Sequence, residues 1–161
     1  VTPRTGTAKT ENELWLDAYN GEVFGEALFG RLAEQAADPT VREKLGILTR
    51  LEASTKQLLE PVLDGLGIDR AGADETVANA HSLAAASGSV PWHDLLASFE
   101  PNTKQFVAIY EALGELTDRE HRPIVELLLA HERALCEYAR RELAGDSAAA
   151  ADAILSLPHV R

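Results

Sequence analysis

The chain has 161 residues, enough for one domain with a sizeable core, and its 45% hydrophobic and 25% charged fractions are those of an ordinary globular protein. A net charge of -11 at pH 7 argues against nucleic acid and against an anionic membrane surface as partners, since both are bound by clustered Lys and Arg. The single cysteine, Cys136, leaves no intrachain disulfide and no Cys-rich zinc site, and its apolar surroundings suit a small buried hydrophobe.

Residues 1–9 are polar, with Pro3 and Gly6, and read as a loose tail without the apolar core of a signal peptide. No apolar run is long enough for a membrane span, so the expected location is the cytoplasm. Thr10-Glu11-Asn12-Glu13 has the form of a capping box and predicts a first helix running to about Ala37. Leu14, Trp15, Ala18, Tyr19, Val23, Phe29 and Leu32 recur along it at helical spacing. Gly21, Gly25 and Gly30 suit close helix packing better than a phosphate loop, because no strand precedes them and no Lys follows in frame. Asp38-Pro39 is a second start signal, for a helix reaching about Gly65 that Pro61 should kink or shorten. So short a connection predicts an antiparallel hairpin.

Leu66 to Val90 is rich in Gly, Ala and small polar residues and suits a long crossover, with a short helix around Thr76 to Ala86. Ser89-Val90-Pro91 opens the third element, which is one kinked helix or two in tandem across Glu100-Pro101. Thr117-Asp118-Arg119-Glu120 has capping-box spacing, although Pro123 moves the regular start of the fourth long helix nearer to itself. The body of that helix is Ile124 to Leu143, and Gly145 ends it. Ser147 to Leu157 predicts a short C-terminal helix, followed by a frayed end. No sustained alternation marks a strand. The expected fold is all-α: an antiparallel four-helix bundle over residues 10–145, with a long crossover between helices two and three, then a short helix and tail over 146–161.

Two of these helices carry acids inside their apolar stripes. Leu45, Leu48, Glu52, Thr55, Leu59 and Val62 form one such line, and the stripe of the fourth helix passes over His131 or Glu132. A carboxylate is costly to bury unless it is paired, hydrogen-bonded or metal-bound. Glu22 lies midway along helix one, 30 residues before Glu52, and Glu100 lies 32 residues before Glu132. Mid-helix positions of antiparallel hairpins meet at one height, so four carboxylates are expected at one level, provided that Glu100 is helical. Each also has a plainer reading. Glu22 and Glu26 fit a solvated edge, Glu100 a helix end, and His131 a core histidine bonded to a carboxylate. Tyr19 and Tyr110 are core aromatics whose hydroxyls need partners. His81, His93, His121 and His159 fall near loops or helix starts and are expected to be exposed.

At this level the chain resembles the ferritin-like superfamily, including its rubrerythrin-type members, over about Glu11 to Ala144. Those bundles hold two iron or manganese ions with one Glu from each of two helices and Glu-x-x-His from each of the other two. The resemblance makes Glu22 the helix-one ligand, Glu52 and Glu132 the first members of the two motifs, and Glu100 the helix-three ligand. Both motif histidines are missing, since Thr55 and Leu135 stand three residues after Glu52 and Glu132. His131 lies about 100° round the helix from Glu132 and can substitute only if the helix is suitably rotated.

Three functions follow. The expected one is a metal-free bundle in which Glu52, Glu132, His131 and Tyr110 act by acid–base chemistry on a small organic molecule, with no cofactor. The alternatives are an iron or manganese oxidoreductase that uses Glu22, Glu52, Glu100 and Glu132, and a structural bundle whose polar core sets helix register. Bundles of this kind often form homodimers through helix faces, although no face stands out for it here.

Overall fold

The computed structural model describes residues 9–88 and 90–160. The expected tail over residues 1–8 and Ser89 at the opening of the third element lie outside them. Seven helices follow in order: α1 (Glu11–Gln35), α2 (Pro39–Leu66), α3 (Ala73–Ser87), α4 (Trp92–Ala97), α5 (Phe99–Leu116), α6 (Arg122–Leu143) and α7 (Ser147–Leu155). The described residues contain no strand.

The start signals act as their chemistry dictates. Thr10 Oγ1 accepts from the Glu13 backbone N–H while the Glu13 carboxylate accepts from the Thr10 N–H at 2.7 Å, a complete capping box on α1. Asp38 caps α2 through the Thr40 N–H at 2.8 Å, with Pro39 at the first helical position. α2 continues through Pro61 to Leu66 and ends at Gly67, whose φ of 66° is the left-handed value that glycine adopts without strain. The third element is two helices in tandem, and Pro101 sits in the first turn of α5, where its missing N–H has no intrahelical partner to lose. One start signal differs from expectation. Asp118, not Thr117, accepts the Glu120 and His121 N–H groups, so this stretch is an Asp-capped turn before α6.

The core has two apolar clusters. One gathers Phe29, Leu32, Leu45, Leu48, Leu51, Phe99, Leu135 and Tyr138. The other gathers Leu14, Trp15, Tyr19, Leu59, Val62, Leu63, Tyr110, Leu113, Val125 and Leu128. Between them, Glu22, Glu52, Thr55, Thr103, His131 and Glu132 form a buried polar layer. α1 packs on α2 and on α5, α5 on α6, and α6 on α2. Along the chain, α1 and α6 run from the Trp15 cluster to the Phe29 cluster, and α2 and α5 run back. α3, longer than the expected 76–86, lies against α1 with Ala80 and Ala84 buried. No helix among the described residues is long and apolar enough to cross a membrane.

Candidate functional site

Each polar residue of this layer is carried inward by the apolar stripe on either side of it. In α1 the inward positions run Trp15, Ala18, Glu22, Gly25, Phe29, and in α2 Leu45, Leu48, Glu52, Thr55, Leu59. In α6 the stripe is wide enough to bury two neighbours: His131 is 1% exposed and Glu132 4%. Both residues of the pair therefore face inward.

The groups converge. Tyr110 Oη donates to Glu22 Oε1 at 3.1 Å. His131 faces both acids, with Nδ1 3.6 Å from Glu22 Oε2 and Nε2 3.6 Å from Glu52 Oε1. One ligand atom from each of Glu22, Glu52 and His131 lies within 4.8 Å of the other two. His131 Nδ1 is also 2.9 Å from Thr55 Oγ1, which lies 3.0 Å from the Leu51 carbonyl and 3.0 Å from His159 Nε2. Glu22 Oε2 and Glu132 Oε2 have no hydrogen-bond partner among the described residues.

Gly25 makes room for this arrangement. A Cβ there would lie 2.5 Å from the Glu52 carboxyl carbon, and one at Gly21 would lie 2.6 Å from the Phe106 ring. Both glycines permit close packing, and at Gly25 what packs is the acid itself.

Beside the acids is a cavity of about 320 Å³, open at one side. Glu22, Glu52, Tyr110, His131 and Glu132 line its polar wall; Phe24, Phe29, Phe99 and Phe106 line the apolar one. Burial among apolar neighbours penalises each charge. It pushes the Glu52 carboxyl up to about 8 and the Glu132 carboxyl up to about 8, and Glu22 well above the ordinary carboxylate range. A positively charged His131 would offset part of this at Glu22 and Glu132; Glu52 raises both of those acids, whereas its hydrogen bond with Glu22 lowers Glu52 itself. Burial also raises the Tyr110 phenol, with Glu22 as the next cause. Burial thus favours the protonated form of all three acids.

Five expected site residues, Glu22, Glu52, Tyr110, His131 and Glu132, are thus brought together. Glu100 is not. It is the second residue of α5, its side chain is 72% exposed, and it pairs with Lys104 at 3.0 Å. The inward stripe of α5 runs through Phe99, Thr103, Phe106 and Tyr110, so Glu100 points away and Thr103 occupies the expected level. Two histidines expected to be exposed are not. His121 stands edge-on to Trp15 with its side chain 19% exposed, and the half-buried His159 reaches Thr55 while Val160 enters the core, so the expected frayed end is docked as far as Val160, with Arg161 outside the described residues. Cys136 is half-buried, with Sγ 2.9 Å from Thr103 Oγ1.

The residues missed as site members are Gly25, Thr55 and His159. Thr55 lay in the apolar stripe of helix two, the available signal. Nothing local ties it to His159, 104 positions later. Comparison of the chain with protein-family models, curated proteins and solved structures finds no match. Its chemistry rests on these residues.

Proposed function

We propose that the chain is an antiparallel four-helix bundle of the ferritin-like kind, formed by α1, α2, α5 and α6, whose polar layer binds one divalent iron or manganese ion beside a pocket for a small organic substrate. The alternating direction in which these helices pass between the two clusters supports the bundle, with α3 as the crossover. One observation carries the metal site: the buried convergence of Glu22, Glu52 and His131.

The donor set fits such an ion. Two carboxylates and one imidazole suit divalent iron or manganese. Donors bonded at about 2.1 Å to one ion lie roughly 3–4 Å apart, and the three donors here, within 4.8 Å of one another, need only a small inward adjustment of their side chains to reach that spacing. Glu22 Oε2 is buried and unpartnered among the described residues, as a vacant ligand position would be. With Thr55 and Leu135 at the motif positions, one imidazole remains, which favours one ion over two.

A bound ion supplies Lewis acidity, and iron a one-electron couple. The chain's own residues do the rest. Tyr110 orients Glu22 through its hydrogen bond. Glu132, with Oε2 free and its carboxyl near 8, can give or take a proton at the cavity wall near neutral pH. Phe24, Phe29, Phe99 and Phe106 exclude water from the apolar end and select an apolar substrate body.

A second reading has its own support. Two carboxyls near 8 on a cavity are also what a metal-free acid–base pocket needs. A purely structural core would have no use for the cavity. Titrating manganese(II) into chelator-treated protein, with elemental analysis of protein expressed in added iron, separates these readings. One ion per chain, lost in Glu52→Ala, is expected. No binding by the wild type overturns the metal site and leaves the acid–base pocket.

A further inference from the structure

Thr55 Oγ1 has three polar neighbours within 3.0 Å: the Leu51 carbonyl, His131 Nδ1 and His159 Nε2. A hydroxyl offers one proton and two lone pairs. The Leu51 carbonyl can only accept, so it takes the hydroxyl proton. Both imidazoles must then donate to Thr55. This is the one arrangement that satisfies all three contacts.

We infer that Thr55 is a positioning residue: its hydroxyl accepts the Nδ1–H of His131, so that the ring in its neutral form is the Nδ1–H tautomer with the Nε2 lone pair turned toward Glu52, and His159 completes the clamp from the C-terminal segment. The competing acceptor for the Nδ1 proton is Glu22 Oε2, at 3.6 Å beyond hydrogen-bond range, while Thr55 at 2.9 Å is within it. Glu22 Oε2 stays free as a result. His159 then carries its proton on Nε2 and a bare lone pair on Nδ1, which agrees with a buried Nδ1 that has no partner among the described residues. Burial lowers the His159 pKa, which favours the neutral ring.

The consequence for the site is specific. A histidine ligates through the nitrogen whose opposite number is hydrogen-bonded, and that partner sets the ring's orientation. Thr55 stands where the ferritin-like motif has an imidazole; here it aims an imidazole from another helix. His159 fills its remaining lone pair and brings the C-terminal segment into the same hydrogen-bonded unit.

Two readouts test this. Long-range ¹H–¹⁵N NMR of chelator-treated, ¹⁵N-labelled protein, at a pH where the rings are neutral, reports which nitrogen of His131 carries the proton. Wild type and Thr55→Ser should show Nδ1–H, and Thr55→Val should lose that preference. Manganese(II) affinity should fall by roughly 10–100-fold in Thr55→Val, as for loss of an outer-shell partner, and recover in Thr55→Ser. A smaller fall is expected for His159→Phe, which leaves the Thr55–His131 bond in place. An Nε2–H tautomer in the wild type overturns the inference, as does a Thr55→Val protein with unchanged tautomer. Should Thr55→Val not fold, the wild-type tautomer alone decides. The tautomer does not depend on whether an ion binds, so the two proposals fail separately.

Discussion

Replacing Glu52 by Gln keeps the shape of a residue that is 5% exposed and removes its titration. The folded carboxyl titrates near 8 because burial disfavours its charge, against 4.5 in an unstructured chain. The folded state therefore binds the proton more tightly. This contribution to stability is fully present below 4.5, declines as pH rises, and is lost once pH passes about 8. Between pH 6 and pH 9 the metal-free wild type should lose about 3 kcal/mol through Glu52 alone, at about 1.4 kcal/mol per pH unit until the folded group ionises. Glu52→Gln should not lose it. For a chain of this size that is a difference in Tm of roughly 6–12 °C opening between the two proteins. The coupling among the acids works in the same direction, since removing the Glu52 charge also eases ionisation of Glu22 and Glu132. The assay is thermal or urea denaturation of both proteins at pH 6 and pH 9 with a chelator present. Equal loss of stability by both would refute a protonated, desolvated Glu52.

Gly25→Ala should lower manganese(II) affinity by at least tenfold in a calorimetric titration, because the new methyl takes the space of the Glu52 carboxyl group. Its overpacking cost of about 1–3 kcal/mol should be partly offset by the gain of about 1 kcal/mol in helix propensity, so urea denaturation should show a folded protein. Tyr110→Phe removes the donor to Glu22 and should cost about 1–3 kcal/mol in urea denaturation, with Glu22 Oε1 left buried and unbonded. Glu100→Gln should change stability by less than about 0.5 kcal/mol and leave metal binding unaltered, because its ion pair with Lys104 is solvent-exposed.

Periodicity and capping chemistry are local, and they made the helices legible in the sequence. Thr10, Asp38, Pro39 and Gly145 mark ends through hydrogen bonds or backbone angles set within a few residues. Glu52 was legible as a buried acid for the same reason, since its aliphatic neighbours at three- and four-residue spacing carry it inward. Glu100 shows where this logic stops. It has the right distance from Glu132 along the chain, yet a helix face is set by its whole stripe, and that of α5 turns Phe99 and Thr103 inward instead. The ambiguity between His131 and Glu132 was also beyond a helical wheel. Neighbours 100° apart are both buried only when partners close over a wide arc, and packing against α2 and α5 supplies that closure.

The sequence by itself determined an all-helical chain, the polar residues at mid-helix, and a Thr and a Leu, not imidazoles, three residues after Glu52 and Glu132. Those follow from side-chain chemistry at fixed spacing along one helix. The tertiary structure alone decided that an imidazole nevertheless enters the acid cluster, that Gly25 clears space for Glu52, and that Thr55 joins His131 to His159. Each is a contact between helices or with the C-terminal segment, and its geometry depends on rotations and offsets that no single helix encodes.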